Sequence, residues 1–252
     1  MLTRERHNAI LDLLSANGRV LAADLAERFG VSEDTARRDL RDLARAGRLQ
    51  RVHGGALPSA PPVGSLQQRI DQNPGAKEKL GATAANLVRD GQTLFIDAGS
   101  TNLATARALP LDRRLTVVTN APGVALVLAD HPLVDVLVLG GRLDRESGAT
   151  RGVATVRDIS LIYADLYFLG SCAVDPVFGA SAIDGSEAEV KRAMVAQSRA
   201  VAVAATSDKL GTAAPFRIVA PSDLIHLVVE RDADPDMLAR FSDSGTFIHL
   251  AA

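Results

Sequence analysis

"VSEDTARRDLRDLARAGRLQRVHGGA", Val31 to Ala56, holds six arginines against four carboxylates in a chain of 252 residues whose formal net charge is −2. Within it Ala36, Leu40, Leu43 and Ala44 recur at spacings of three and four, which gathers them on one face of a helix. Arg37, Arg38 and Arg41 fall to the outward share. Ser32, followed by Glu33, Asp34 and Thr35, predicts the start of that helix, with a hydroxyl to cap free N–H groups and acids at the positive end of the dipole. After Gly47, the run Arg48, Leu49, Arg51 and Val52 predicts a short hairpin that closes at Gly54-Gly55.

Working outward, the preceding residues are helical throughout. Ile10, Leu13 and Leu14 line one face of a helix from about Arg4 to Ala16, ended by Asn17-Gly18, and a second runs from about Ala22 to Phe29. Gly30 supplies the positive φ that a tight turn into the third helix requires. Three helices with a short turn before the last, followed by a small basic hairpin, predict a winged helix-turn-helix. A helix fits the major groove of double-stranded DNA, and a wing beside it reaches flanking phosphates. Ser32, Thr35 and Arg38 are the candidates for base or phosphate contact, with Arg37 and Arg41 on the same outward surface. Arg51 and His53 in the wing are candidates for phosphate. The competing reading is that Arg37 and Arg41 merely pair with Glu33, Asp34 or Asp42 on a solvated helix.

Composition agrees with a local, not a global, nucleic-acid contact. Residues 1–56 carry ten arginines against eight carboxylates, whereas the remainder has 18 basic against 22 acidic residues. Only four of the basic residues are lysines: Lys77, Lys79, Lys191 and Lys209. A single cysteine, Cys172, excludes an internal disulfide and a cysteine-rich zinc site. The five histidines are scattered without ligand spacing, so neither metal nor cofactor is expected. The sequence shows no signal peptide and no long apolar span, and a reducing cytoplasm is the expected location.

LPSAPPVGSLQ, Leu57 to Gln67, interrupts any periodicity and predicts an interdomain linker. The expected organisation is a DNA-binding domain over 1–57, a linker over 58–73 and an α/β domain over 74–252. In the last of these, apolar runs at 93–98, 115–120, 134–140, 165–171, 200–206, 224–230 and 246–250 alternate with helical stretches, notably 74–88, 102–109, 123–129, 187–198 and 236–241. Such alternation predicts a mostly parallel sheet covered on both faces. Ligands in these folds bind beyond the carboxyl ends of the strands. There the sequence places Gly99-Ser100-Thr101 at the start of a helix, an anion cradle, together with Thr119-Asn120 and Gly140-Gly141. Lys209 offers a point charge for a phosphate or carboxylate, and Glu187 and Asp175 offer acceptors for sugar hydroxyls. Cys172 is expected to be a small buried residue.

On Arg37-Arg38-Asp39-Leu40 and His53-Gly54-Gly55-Ala56, the N-terminal segment closely resembles the DNA-binding domain of the DeoR family of bacterial transcriptional regulators. The rest of the chain looks like that family's sensor domain, which implies a Rossmann-like fold similar to ribose-5-phosphate isomerase and glucosamine-6-phosphate deaminase. The resemblance implies a phosphorylated sugar or related effector. It maps Asp97, Gly99, Ser100 and Thr101 onto the phosphate loop, with Thr119 and Asn120, Gly140 and Gly141, Gly152, Asp165, Phe168 and Gly170, Glu187, and Lys209 with Gly211 as further motif positions. Ser171–Asp175 (SCAVD) and Thr206 depart from the family's usual residues, which bears on which ligand is bound.

The expectation is therefore a repressor of carbohydrate genes that binds an operator as a homo-oligomer, a dimer or tetramer. An effector would favour a domain arrangement whose paired recognition helices no longer match two half-sites. The alternative is a sugar-phosphate isomerase or deaminase with an accessory DNA-binding domain, for which Asp175, Asp184 or Glu187 would have to supply a base.

Overall fold

The computed structural model describes all residues, Met1–Ala252. The chain begins with α1 (Thr3–Asn17), β1 (Val20–Leu21), α2 (Ala22–Phe29), α3 (Glu33–Arg45), β2 (Gln50–Val52) and β3 (Gly55–Leu57). Ile10, Leu14, Leu25, Ala36, Leu40, Leu43 and Leu49 form its core. Each such large side chain contributes about 1.5–3 kcal/mol when taken from water. Gly30 ends α2 in the left-handed region at φ 63°, which lets the chain reverse within two residues before Ser32 caps α3. The wing is a three-stranded antiparallel sheet, ordered β1-β3-β2. Gly55 is obligatory there, because a Cβ would lie 2.0 Å from the Val20 carbonyl oxygen.

The expected linker is only partly a linker. It contains α4 (Leu66–Asp71), closed at its start by a reciprocal cap between Ser65 and Gln68. Its first residues are hooked to the second domain, since Ala60 N–H donates to the Ala213 carbonyl at 2.8 Å and Ala213 N–H to the Pro58 carbonyl at 3.0 Å. The prolines interrupt regular structure over 58–65, and the segment is docked rather than free.

The larger domain continues with α5 (Pro74–Ala85), β4 (Thr93–Ile96), α6 (Ser100–Arg107), β5 (Leu115–Thr119), α7 (Pro122–Leu128) and β6 (Val134–Val138). Then follow β7 (Arg142–Asp144), β8 (Ala149–Arg151), α8 (Val153–Ile159), β9 (Leu166–Phe168), β10 (Ala173–Asp175), β11 (Gly179–Ala182) and α9 (Gly185–Ala196). The last elements are β12 (Val201–Ala205), β13 (Phe216–Val219), β14 (His226–Glu230), α10 (Pro235–Asp243) and β15 (Phe247–Ala251). Seven strands make one parallel sheet in the order β15-β14-β12-β9-β4-β5-β6. Alternate residues serve opposite faces: Phe95 and Tyr167 pack with α8, α9 and α10, while Leu94, Ile96 and Phe168 pack with α5, α6 and α7. Strand order reverses between β4 and β9, which opens a crevice at their carboxyl ends.

All seven expected strands are present. The hairpin β7–β8 and the small sheet β10-β11-β13 were not anticipated, because strands of three or four residues carry too little periodicity to be seen. No helix is long and apolar enough to cross a membrane.

Candidate functional site

On α3, Ala36, Asp39, Leu40 and Leu43 are buried while Arg37, Arg38 and Arg41 are exposed. The outward arginines differ in state. Arg37 donates to Glu33 at 2.7 Å, whereas Arg38 and Arg41 make no ion pair. Ser32 Oγ accepts from Thr35 N–H at 3.2 Å and lies 2.9 Å from Thr35 Oγ1, so both hydroxyls are already engaged at the helix start. Arg51 on β2 and His53 at the hairpin turn are exposed. Asp39 points inward instead: it accepts from Arg6 Nε at 2.5 Å and Arg6 Nη2 at 2.9 Å, with His7 Nε2 at 3.1 Å. Burial works against its charge, but the Arg6 and His7 contacts hold the carboxyl below its usual range.

At the switch between β4 and β9 lies a cavity of about 540 Å³, lined by Ser100, Ser171, Cys172, Thr206, Lys209, Arg69 and Lys77. Gly99, Thr101, Asn102, Gly170 and Glu187 continue its wall. Gly99 is the N-cap of α6 and brings no side chain to its first-turn N–H groups. Arg69 and Lys209 face this helix start, while Lys77 lines the cavity with its ammonium donated to the Arg69 and Gln72 carbonyls, and Asp208 is the one acid on the cavity lining. Burial pushes the Lys209 ammonium down, and Arg69 and Lys191 push the same way. Lys77 is lowered by burial, then by Lys209 and Arg69. Arg69 Nε, Thr101 Oγ1 and Ser171 Oγ are buried without a partner. Mutually repelling cations beside orphaned donors suit an anion.

Asn120 belongs to the adjoining wall: its Nδ2 donates to the Thr150 carbonyl at 2.9 Å and its Oδ1 is unpartnered. A polar annexe holds Asp144, Arg151, Asp184 and Glu187. Arg151 bridges Asp144 at 2.9 Å and Asp184 at 2.8 Å.

Five expected contact residues do not reach the cavity. Asp97 is sealed beneath it, accepting from Lys191 Nζ at 2.6 Å, Asn102 Nδ2 at 2.7 Å, Gly170 N–H at 2.8 Å and Tyr167 Oη. Thr119 is consumed by the Ile96 carbonyl at 2.5 Å and by Ala121 N–H at 3.0 Å. Gly140 and Gly141 stand against Thr155 beyond β6, where the Gly140 carbonyl accepts Thr155 Oγ1 at 2.7 Å. Asp175 closes the β10–β11 turn by accepting from Val177 N–H at 2.8 Å and Phe178 N–H at 2.7 Å. Cys172 lines the cavity half-buried, and burial raises its thiol, so it is no activated nucleophile.

The residues missed were Arg69, Lys77, Ser171 and Lys191. Lys191 is the buried support of the site: burial alone would lower it, but Asp97 and Glu187 hold its ammonium well above the usual value. A signal existed. Three of the four lysines in an arginine-using chain, Lys77, Lys191 and Lys209, stand at or under this cavity.

A winged helix-turn-helix with an arginine-bearing recognition helix, joined to a Rossmann-like domain with a polar cavity at its switch point, defines a DNA-binding regulator with a sensor module. Residues 6–59 match the DeoR-like helix-turn-helix domain and residues 72–231 the DeoR C terminal sensor domain. The chain belongs to the DeoR family of transcriptional regulators. It is 30% identical over 253 residues to the HTH-type transcriptional regulator GolR of Listeria innocua, covering 100% of both chains. It is 35% identical over 212 residues to the glycerol-3-phosphate regulon repressor of Escherichia coli, covering 84% of each. With the HTH-type transcriptional repressor GlcR of Bacillus subtilis it shares 31% over 234 residues, 92% of this chain and 90% of that one. Among solved structures, ribose 5-phosphate isomerase A from Neisseria gonorrhoeae aligns with a TM-score of 0.41 at 16% identity, over 54% of this chain and 53% of that one.

Proposed function

We propose that the protein is a repressor whose operator affinity is set by a phosphorylated sugar or polyol bound at the start of α6. The observation that carries this reading is the grouping of Arg69 and Lys209 around an uncapped helix N-terminus with unpartnered Thr101 and Ser171 hydroxyls. Glu187 in the annexe and the unpartnered Oδ1 of Asn120 beside it supply acceptors for the hydroxyl end. The Escherichia coli relative is named for a glycerol-3-phosphate regulon, and a phosphorylated polyol is the chemical class that suits a cationic pocket with a hydroxyl-binding annexe.

Binding without turnover fits the state of the acids. Asp175 is spent on a turn, Asp184 caps α9 through Glu187 N–H at 2.8 Å and pairs with Arg151, and Glu187 lies 3.2 Å from Lys191. None is a poised base of the kind that isomerisation requires. Of the sequence candidates, Ser100, Thr101, Asn120, Glu187 and Lys209 are retained as effector contacts, with Gly99 presenting backbone. Arg38, Arg41, Arg51 and His53 are assigned to DNA, with Ser32 and Thr35 at the helix start. Two recognition helices meeting two half-sites require a homo-oligomer, acting in the cytoplasm.

Fluorescence anisotropy of operator DNA, with ribose, hexosamine and glycerol phosphates added in turn, tests this. A shift in affinity with one of them is expected. Conversion of any of them by the protein would contradict binding without turnover.

A further inference from the structure

Arg69 belongs to neither recognised module: the DNA-binding match ends at residue 59 and the sensor match begins at 72. It nevertheless lines the cavity together with Pro61, Pro62 and Val63 from the same intervening segment. We propose that Arg69 is a ligand for the effector's anionic group, so that the segment joining the two modules forms one wall of the effector site. This rests on the effector reading above and extends it to a residue and a segment that the family match does not include.

The geometry around Arg69 is that of a built site. Its Nε is buried with no partner, while its Nη2 donates to the Ser147 carbonyl at 3.4 Å, a weak contact that leaves the guanidinium under-satisfied. A planar guanidinium with free donors matches a phosphate better than any other side chain. The backbone that carries it is held on both sides. Leu66 N–H donates to the Glu146 carbonyl at 2.8 Å, and Lys77 Nζ donates to the carbonyls of Arg69 and Gln72 at the end of α4. Ile70 packs against the core of the sensor domain. Upstream, the Pro58–Ala60 segment is hydrogen-bonded to Ala213, and Gly211 and Thr212 follow Lys209 closely. Residues 61–64 therefore cross the cavity between two fixed points, with Lys209 near one and Arg69 near the other. An anion bridging Arg69 and Lys209 would tie both anchors together. Before it binds, these two cations repel each other, which is why each weakens the charge of a neighbour in the cluster.

The consequence is a physical route from effector to DNA. Binding energy spent on Arg69 is spent on fixing residues 61–64, which run between the two docked ends of the segment that follows β3 of the wing. A ligand shifts a conformational equilibrium only through contacts that differ between the states, and Arg69 would supply such a contact.

The test uses the full-length protein and inorganic phosphate, with sulfate as a second probe, read by isothermal titration and by hydrogen exchange of the amides in residues 58–73. Phosphate is expected to bind and to slow exchange of the amides of Val63 to Arg69. Arg69→Gln should weaken phosphate at least tenfold and abolish the slowed exchange, Arg69→Lys should restore part of the affinity, and an unchanged melting temperature would show that α4 stays docked. If α4 undocks, the exchange of its amides in the ligand-free variant reveals it, and Arg69→Lys, which keeps the charge, then decides. Lys209→Gln reports on the site itself. Loss of phosphate in Lys209→Gln with full affinity in Arg69→Gln would overturn the inference and leave the effector site standing. Absence of phosphate and sulfate binding to the unaltered protein would overturn both.

Discussion

Arg6 on α1 and Asp39 on α3, 33 positions apart, meet through two hydrogen bonds in the interior of the DNA-binding domain. The pair fixes the recognition helix against the first helix, so the aspartate of the Arg-Arg-Asp-Leu motif serves the fold while the arginines around it face outward. Removing one partner strands a buried charge, at a cost of about 3–5 kcal/mol. Asp39→Ala is therefore expected to unfold the DNA-binding domain in urea at markedly lower concentration and to lose operator binding as a result. Unchanged stability would show that the pair is dispensable. Asp39 is held below its ordinary value of 3.8, so its contribution is complete above that value and is lost as pH falls through the lowered one.

Arg38 and Arg41 make the opposite prediction. Both are exposed and unpaired, so replacing either by alanine should leave the melting temperature unchanged. Each guanidinium taken off a DNA phosphate lowers the dependence of log affinity on log salt by about one unit. Arg37, already bound to Glu33, should matter less in the same titration. Equal losses of affinity for all three would refute the distinction.

Much of this was legible in the sequence. The helices of the first domain announced themselves because Ser32 and Gly30 sit at their ends and leucines recur along one face. The parallel sheet did so because strands such as TLFIDA and AVAVAAT are apolar on both sides. The loop at Gly99–Thr101, proposed to meet the effector, was legible as a strand-to-helix turn for the same reason: it follows a strand and opens a helix. What the sequence could not show was direction. Asp97 and Thr119 sit at strand ends, where polar residues commonly meet ligands, yet their side chains turn into the protein to hold Lys191 and the β4 backbone. Asp175 was drawn into a turn of a hairpin too short to leave a periodic trace. Arg69 was hidden by its neighbours, since a proline-rich segment signals a break and says nothing of where it docks.

Lys191 and Lys209 separate support from contact. Lys191→Met leaves the Asp97 carboxylate buried without its cation, and a loss of about 3–5 kcal/mol is expected in chemical denaturation. Lys209 has no ion pair and is weakened by burial, so Lys209→Met should leave stability unchanged or higher while abolishing anion binding. Reversal of that order would show that the roles are exchanged.

Anion binding should also depend on pH with a defined sign. The Lys209 ammonium titrates below its ordinary value of 10.5, chiefly because it is buried, with Arg69 and Lys191 also opposing its charge and Cys172 and Asp208 favouring it. Affinity for sulfate, whose own charge is constant, should therefore be level near neutrality and fall as pH rises through the lowered value, before 10.5 is reached. Lys209→Arg should remove the fall. A sulfate affinity that holds steady to pH 10.5 in the unaltered protein would contradict the assignment.

The most direct test of the central claim is operator binding by the full-length protein at fixed salt, measured with and without saturating phosphorylated polyols and sugars. Tight binding that one such compound shifts is expected, with the shift disappearing in Lys209→Met while the unliganded affinity stays the same. Operator affinity that no phosphorylated compound changes would contradict it.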